Sequence, residues 1–278
     1  MAMNRGDMQQ PRIIANWKAN LSPGEEVERA RSIAQIALER GLSVFNGIDT
    51  PTLVLAPSAV GLVPVASLLQ REYGNLAIEV AAQDCSAEGI GAHTGELVAA
   101  NLVGIAASVI IGHSERRAAG DTDSSIGRKI AHAAAAGLRP ILCVGDATQS
   151  AATEARVPEV VGQFERAIAQ AAAAGWPLDR LVAAGLVVAY EPLWAIGSHT
   201  PATPMDAMAV ARGIQGAGNG LAIPVLYGGS VDAGNAASWC DETRGQADGA
   251  LSGLLVGGAS LDPRELLDIV GAATMPRR

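Results

Sequence analysis

Short apolar runs recur along the chain and alternate with segments in which apolar residues return every three or four positions. Buried strands of a parallel sheet are typically continuous apolar runs, whereas a helix packed on a core shows the three-to-four spacing. Eight runs fit strands: Arg12–Asn16, Thr52–Pro57, Ala77–Ala82, Ala107–Gly112, Arg139–Val144, Leu186–Glu191, Ile223–Tyr227 and Ser252–Gly257. Eight strands separated by helix-length segments predict an α/β fold, a parallel sheet closed into a single (β/α)8 barrel.

Several helical segments begin with recognisable start signals. Ser22 can cap a helix, Pro23 suits the first helical position, and Glu25 completes a capping box. Thr203 and Asp262, each followed by a proline, predict later helix starts in the same way. The face of the first helix that packs on the barrel is predicted from an apolar stripe ending before Gly41: Val27, Ala30, Ala34, Ala37 and Leu38.

The composition agrees with one large core. The chain has 278 residues of which 49% are hydrophobic, a size at which α/β barrels form a single domain. Aromatic residues make up only 3% and glycine numbers 32, so small aliphatic side chains must fill the interior, which argues against a β-sandwich. The net charge of −8, without a long run of lysine or arginine, gives no electrostatic footprint for nucleic acid.

Residues 1–11 are predicted to be a flexible N-terminal tail, and residues 12–278 the barrel catalytic domain. The tail has no apolar stretch, so neither a signal peptide nor a membrane anchor is expected. Every apolar run is far shorter than the ~20 residues of a bilayer span, and a cytoplasmic location is expected. Cys85, Cys143 and Cys240 lie in or beside apolar segments without paired spacing, so reduced, buried thiols are expected.

Polar residues with catalytic potential follow three of the predicted strands. Asn16 and Lys18 follow the first, His113 the fourth and Glu191 the sixth. The C-terminal strand ends of such a barrel meet at one mouth, where function resides. A carboxylate, an imidazole and an ammonium there suit proton transfer next to a carbonyl, although a strand-end glutamate can equally belong to a structural salt bridge. The four histidines are distant in sequence and form no Cys/His cluster, so no metal is expected.

Four parts of the chain resemble, in the same order, motifs of the triosephosphate isomerase family: Ala15–Asn20, Ile111–Arg117, Ala189–Gly197, and Tyr227–Val231 together with Val256–Leu261. The resemblance extends from about Arg12 to Val270. It implies a TIM barrel and a cofactor-free, cytoplasmic isomerase of glycolysis and gluconeogenesis. The implied reaction interconverts dihydroxyacetone phosphate and D-glyceraldehyde 3-phosphate through an enediolate.

The resemblance also implies catalytic roles. Glu191 would be the base that removes a proton from carbon, and His113 would polarise the carbonyl oxygen as a neutral imidazole. Lys18 would attract the phosphate dianion and stabilise the developing oxyanion, with Asn16 as a second donor. Glu115 would orient Lys18 or its neighbours.

Binding of the substrate phosphate needs backbone amides that side chains do not obstruct, which suits glycine at the ends of the seventh and eighth strands. By resemblance, four residues would surround the phosphate: Gly197, Ser230, Gly257 and Gly258.

Three further residues are implied in the lid and in an interface. Trp194 would belong to a hinged lid over the mouth, and Tyr227 would hold the closed lid near its second hinge. Thr94 lies in a segment that resembles the loop inserted into a partner subunit, so a homodimer is implied. His93 beside it stands where the family usually has an aromatic residue.

Two departures from the family pattern leave alternatives open. Ser198–Ala202 replaces the common Thr-Gly-Lys-Thr-Ala of the lid, and Gly245–Ser252 is longer than usual. The lid changes favour a same-fold isomerase of a four-carbon ketose phosphate, of the erythrulose phosphate type, as the alternative, and the retained Gly258–Leu261 weakens it. A non-catalytic sugar-phosphate binder is a second alternative, but it predicts the loss of Glu191 or His113, and both are present.

Overall fold

A computed structural model describes residues 12–41, 52–76, 78–147, 153–195, 201–240 and 251–274. Its eight parallel strands pair in chain order, and the eighth pairs with the first, so the sheet is a closed barrel. The predicted (β/α)8 barrel is therefore confirmed. The strands are β1 Arg12–Asn16, β2 Thr52–Ala56, β3 Ile78–Ala82, β4 Ser108–Ile111, β5 Arg139–Val144, β6 Val187–Tyr190, β7 Val225–Tyr227 and β8 Gly253–Val256.

Helices surround the barrel. Within the described residues the α-helices are α1 Pro23–Glu39, α2 Leu62–Glu72, α3 Ser114–Ala118, α4 Asp123–Ala135, α5 Thr153–Ala173, α6 Leu178–Ala183, α7 Pro204–Ala217, α8 Ala236–Trp239 and α9 Pro263–Thr274. Short 3₁₀ turns occupy Ala99–Leu102, Leu193–Ala195 and Gly258–Leu261. Two of these turns lie close to strand ends at the mouth, where they shape the loops that carry the candidate site residues.

The crossover from β3 to β4 departs from the expected alternation of strand and helix. Residues 83–107 are all described, and their only helical structure is the 3₁₀ turn Ala99–Leu102. Gly89, Gly91 and Gly95 interrupt this segment, and Gly95 has a φ of +87°, which an α-helix cannot contain. The result is a long loop whose residues 91–96 are all exposed.

Two layers of apolar side chains hold the barrel together. Successive side chains of a strand point to opposite faces of a sheet, and β1 shows the consequence. Ile14 belongs to a cluster built from strand residues alone, whereas Ile13 and Ala15 belong to the larger cluster shared with the helices. The smaller cluster fills the barrel interior with Val, Ile, Leu, Ala and one cysteine, as the low aromatic content requires.

The first helix confirms its predicted start but corrects its predicted face. Ser22 accepts a hydrogen bond from the Glu25 amide, and the Glu25 carboxylate accepts one from the Ser22 amide at 2.8 Å. Leu38 was expected in the packed stripe, yet it is 43% exposed, so that expectation was wrong. Ile33 is buried instead, because it lies three residues after Ala30 and thus on the same side of the helix.

The three cysteines, all within the described residues, form no disulfide, and they are not all buried. Cys85 and Cys143 are buried as expected, whereas Cys240 is half-buried, which corrects the expectation for that thiol. Burial raises the pKa of the Cys85 thiol to about 12, so this group stays protonated and unreactive at neutral pH. No helix in the described part of the chain is long and apolar enough to cross a membrane.

The cap of α7 gives a stability prediction. The Thr203 hydroxyl accepts a hydrogen bond from the Asp206 amide at 3.1 Å, and Pro204 occupies the first helical position. Thr203→Ala should lower the free energy of unfolding by about 1 kcal/mol, because the amide loses its partner. Thr203→Ser, which keeps a hydroxyl, is the control. Equal stability of the two variants in urea denaturation would contradict the capping role.

Candidate active site

The closed barrel brings the predicted polar residues to one mouth. Asn16 is the last residue of β1, Glu191 directly follows β6, and His113 lies two residues after β4. All strands are parallel, so these three ends face the same side. The structure therefore brings together residues that are far apart in sequence, as the strand-end pattern predicts.

The Glu191 carboxylate is buried and both of its oxygens have partners. The side chain is 2% exposed. Its Oε1 lies 2.9 Å from Nε2 of His113, and its Oε2 accepts a hydrogen bond from the Ser114 amide at 2.9 Å. Burial of an unpartnered carboxylate is costly, and these two contacts reduce that cost at this position.

Gly145, just after β5, makes room for this strand end. A Cβ atom built on it would lie 1.9 Å from the Glu191 carbonyl oxygen, a contact that no side chain could accept. The Glu191 amide also donates a hydrogen bond to the Val144 carbonyl at 2.8 Å. The backbone that carries the carboxylate is thus held tightly against the neighbouring strand.

The contacts of His113 define which of its nitrogens carries the proton. His113 caps α3, and its Nδ1 accepts a hydrogen bond from the Glu115 amide at 3.2 Å. A nitrogen that accepts from an amide has no proton of its own, so in the neutral ring the proton lies on Nε2. That N–H points to Glu191, and the ring is oriented as a hydrogen-bond donor towards the mouth.

Lys18 lies in a turn that its neighbours hold in an unusual conformation. Its φ is +53°, which is uncommon for a residue other than glycine. The Lys18 amide donates to Asn16 Oδ1 at 3.1 Å, and Gln83 Nε2 donates to the carbonyls of Lys18 at 2.8 Å and Ala56 at 2.9 Å. These bonds stabilise the strained turn, and strain of this kind is concentrated at functional sites.

The ammonium of Lys18 is paired with Glu115 at 2.7 Å. Partial burial of Glu115 opposes its ionisation, but the hydrogen bond and charge of Lys18 outweigh that effect and lower the pKa of the carboxyl. Glu115 is therefore ionised at neutral pH, and it holds the lysine in place. This geometry suits an orienting role rather than proton transfer.

Two glycines follow β8, and the first of them lies beside Lys18. Gly257 directly follows this strand, and a Cβ atom built on it would lie 3.8 Å from Lys18 Cε. A Cβ on Gly258 would meet no atom within 4 Å, so its backbone faces open space. Ser230, beyond the end of β7, is half-buried, and the fourth predicted phosphate residue, Gly197, lies outside the described residues.

Asp146 is a buried residue of this region that the sequence analysis missed. It accepts hydrogen bonds from Tyr190 Oη at 2.7 Å and from Trp194 Nε1 at 3.0 Å. Burial and this hydrogen bond both raise the pKa of Tyr190. Asp146 thus holds Tyr190, just before Glu191, and Trp194, three residues after it. Its position just beyond the end of β5 is the signal that could have identified it.

The predicted residues Tyr227 and Thr94 occupy different surroundings. Tyr227 is fully buried, and its Oη accepts a hydrogen bond from the Ala202 amide at 2.9 Å. Thr94 lies on the exposed loop between β3 and β4. A cavity of about 760 Å³ is lined by Thr94 together with Asn16, Lys18 and His113.

The described residues contain no group of three or more His, Cys, Asp or Glu side chains placed to hold a metal ion.

Comparison with known proteins points to one family. The family model for triosephosphate isomerase matches residues 11–273. Proteins named triosephosphate isomerase from Alkalilimnicola ehrlichii and Paracidovorax citrulli are 36% and 38% identical to the chain, covering 96% and 94% of it and 99% and 97% of their own lengths. The rice protein named cytosolic triosephosphate isomerase is 35% identical, over 95% of the chain and 96% of its own length. The chain belongs to the triosephosphate isomerase family.

Proposed function

We propose that the chain interconverts dihydroxyacetone phosphate and D-glyceraldehyde 3-phosphate by proton transfer through an enediolate. The observation that carries this proposal is the contact between the Glu191 carboxylate and His113 Nε2 at 2.9 Å. It brings an acceptor for a carbon-bound proton and a donor for a carbonyl oxygen to one point of the mouth. Membership of the family supplies the substrate.

The proposed reaction moves protons only. Glu191 takes a proton from C1 of dihydroxyacetone phosphate, and the carbonyl oxygen at C2 receives one from His113 Nε2. The hydroxyl at C1 then returns a proton to Nε2 and becomes the aldehyde oxygen, while Glu191 protonates C2. The sum of these steps is an isomerisation without oxidation or reduction, so side chains that accept and donate protons suffice.

Substrate binding must replace the resting contact between the two catalytic side chains. The His113 Nε2–H group that faces Glu191 in this structure is the donor that the substrate oxygen requires. The substrate oxygen therefore takes the place of Glu191 Oε1, and the carboxylate turns towards the substrate carbon. Removal from a hydrogen-bond donor in a dry site makes a carboxylate a stronger base.

Lys18 and the glycine-rich strand ends are proposed to bind the charged parts of the substrate. The end of the lysine side chain lies beside Gly257, where backbone amides can donate hydrogen bonds to a phosphate dianion. Its charge also stabilises the negative oxygen of the enediolate. The acidic chain thus binds an anion through local donors rather than through its net charge. The name of the rice relative, cytosolic triosephosphate isomerase, supports a cytoplasmic location. The proposed reaction fits a role in glycolysis and gluconeogenesis.

Lid positions 198–200 and residues 245–250 of the longer segment lie outside the described residues, and the described residues do not favour the four-carbon alternative. The relatives named above are triosephosphate isomerases. A coupled assay that compares three-carbon and four-carbon ketose phosphates tests the substrate assignment. Faster turnover of the four-carbon compound would overturn it, and no turnover of either would favour a binding protein.

Replacing Glu191 tests the proposed base. Glu191→Gln should lower kcat by at least about 10²–10⁴-fold with little change in the fold, since the amide cannot accept the carbon-bound proton. Glu159→Gln, at an exposed position of α5, is the matched control and should retain full activity. Turnover of Glu191→Gln within about tenfold of the wild-type rate would reject this residue as the base.

A homodimer is the proposed assembly. Residues 91–96 form an exposed loop, and Ile90 at its start is 81% exposed, which is unusual for a large apolar side chain. The neighbouring cavity reaches from Thr94 to Asn16 and Lys18. In a twofold dimer, the loop of each subunit would enter the cavity of the other. Such an exchange would cover Lys18, which the single chain leaves partly exposed.

Thr94→Arg tests this assembly. The large charged side chain should prevent insertion of the loop, shift the protein towards monomers and lower activity, since each site would lose a wall. Ala172→Arg, which adds the same group at an exposed position of α5, should leave assembly unchanged. Sedimentation velocity over a range of concentrations measures the assembly. A fully active monomer would contradict the proposal.

A further inference from the structure

The phenol of Tyr227 is held by three other segments of the chain. Tyr227 ends β7 and is paired in register with Tyr190, the residue before Glu191. Its hydroxyl accepts the Ala202 amide at 2.9 Å. Ala202 precedes the Thr203 cap of α7, on the C-terminal side of the segment that resembles the family's lid. Through this hydrogen bond, the phenol helps to fix the position of the Ala202 backbone.

Trp239 lies against the ring of Tyr227. The two ring centroids are 3.7 Å apart and the planes differ by 13°, so the rings are stacked. Trp239 is the last residue of α8 and is 4% exposed. Stacked aromatic pairs add a directional attraction to the burial of their surfaces. The indole thus restricts the tilt and translation of the phenol more than an equally buried aliphatic side chain would.

Asn235 connects Trp239 to the loop that follows β7. Its Oδ1 accepts hydrogen bonds from Trp239 Nε1 at 3.3 Å and from the Asp232 amide at 3.0 Å. Its Nδ2 donates to the Ser230 carbonyl at 3.4 Å. The indole is therefore joined to the same loop that carries Ser230, a residue proposed to bind the substrate phosphate.

Gly229 completes the contacts around the phenol. A Cβ atom built on this residue would lie 2.3 Å from Tyr227 Oη and 2.6 Å from Cζ. The loop that carries Ser230 thus passes so close to the hydroxyl that only glycine fits at position 229. Burial raises the pKa of Tyr227 to about 12, so the hydroxyl stays neutral at physiological pH.

We propose that Trp239 is a positioning residue for the isomerisation, acting through Tyr227. By stacking on the phenol and bonding to Asn235, it holds the Tyr227 hydroxyl, and with it Ala202, in a fixed place relative to the loop that carries Ser230. This inference rests on the proposed function. Loss of this positioning would change the products, because a poorly enclosed enediolate phosphate breaks its C3–O bond and yields methylglyoxal and inorganic phosphate.

A double-mutant cycle separates positioning from simple packing. Wild type, Trp239→Leu, Tyr227→Phe and the double variant are compared for kcat, KM and methylglyoxal formed per turnover. Trp239→Leu should lower kcat/KM by between about twofold and tenfold, the effect of weakening one hydrogen bond, and should increase methylglyoxal. In the Tyr227→Phe background, which has already lost the hydroxyl, the same substitution should change neither quantity further.

Two control variants define the readout. Trp239→Phe keeps a stacked ring and should restore most of the kinetics. Trp176→Leu removes an indole that packs on the Arg180 guanidinium 4.3 Å away, and it should cost stability without raising methylglyoxal. If Trp239→Leu does not fold, Trp239→Met, which keeps more of the volume, replaces it in the cycle.

The outcomes distinguish this inference from the proposed function. Equal effects of the Trp239 substitution in both Tyr227 backgrounds, or no effect on methylglyoxal in either, would overturn the positioning role while wild-type isomerisation remains. A wild-type protein that does not interconvert the triose phosphates would instead refute the proposed function.

Discussion

The first turn of α3 is the element on which the rest of the site depends. Its Ser114 amide binds Glu191 Oε2 at 2.9 Å, and its Glu115 amide binds His113 Nδ1 at 3.2 Å. The Glu115 carboxylate then pairs with Lys18 at 2.7 Å. One helix start therefore fixes a carboxylate, an imidazole and an ammonium that come from three different strands. The amides at a helix N-terminus are free to make such bonds because they have no partner within the helix.

This arrangement also explains how a buried carboxylate can be both stable and reactive. In the resting structure Glu191 has a partner for each oxygen, so its burial is not prohibitive. The proposed substrate competes for only one of these partners, His113 Nε2. The other contact, to the Ser114 amide, belongs to the helix start and restrains where the carboxylate can move. Gly145 adds a second restraint on the carboxylate. Its close approach to the Glu191 backbone carbonyl fixes the strand end that carries this side chain.

The fold and the strand-end residues could be predicted from the sequence because they depend on local patterns. The apolar runs predicted all eight strands, and Ser22 and Thr203 predicted their helix starts. Contacts between distant segments could not be predicted in this way. Asp146 bonds to residues 44 and 48 positions away, and Gln83 reaches the Lys18 turn across 65 positions. The exposure of Leu38 and the half-burial of Cys240 likewise depend on which surface covers them.

The central claim is that the hydrogen bond from the Glu115 amide to His113 Nδ1 places the proton of the neutral ring on Nε2. The most direct test is ¹⁵N NMR of the histidine-labelled protein at about pH 8, where a histidine is ordinarily neutral, with His113 assigned by comparison with His113→Gln. The claim predicts a chemical shift of a protonated nitrogen at Nε2 and of an unprotonated acceptor at Nδ1. A proton on Nδ1, or a ring protonated at both nitrogens, would contradict it.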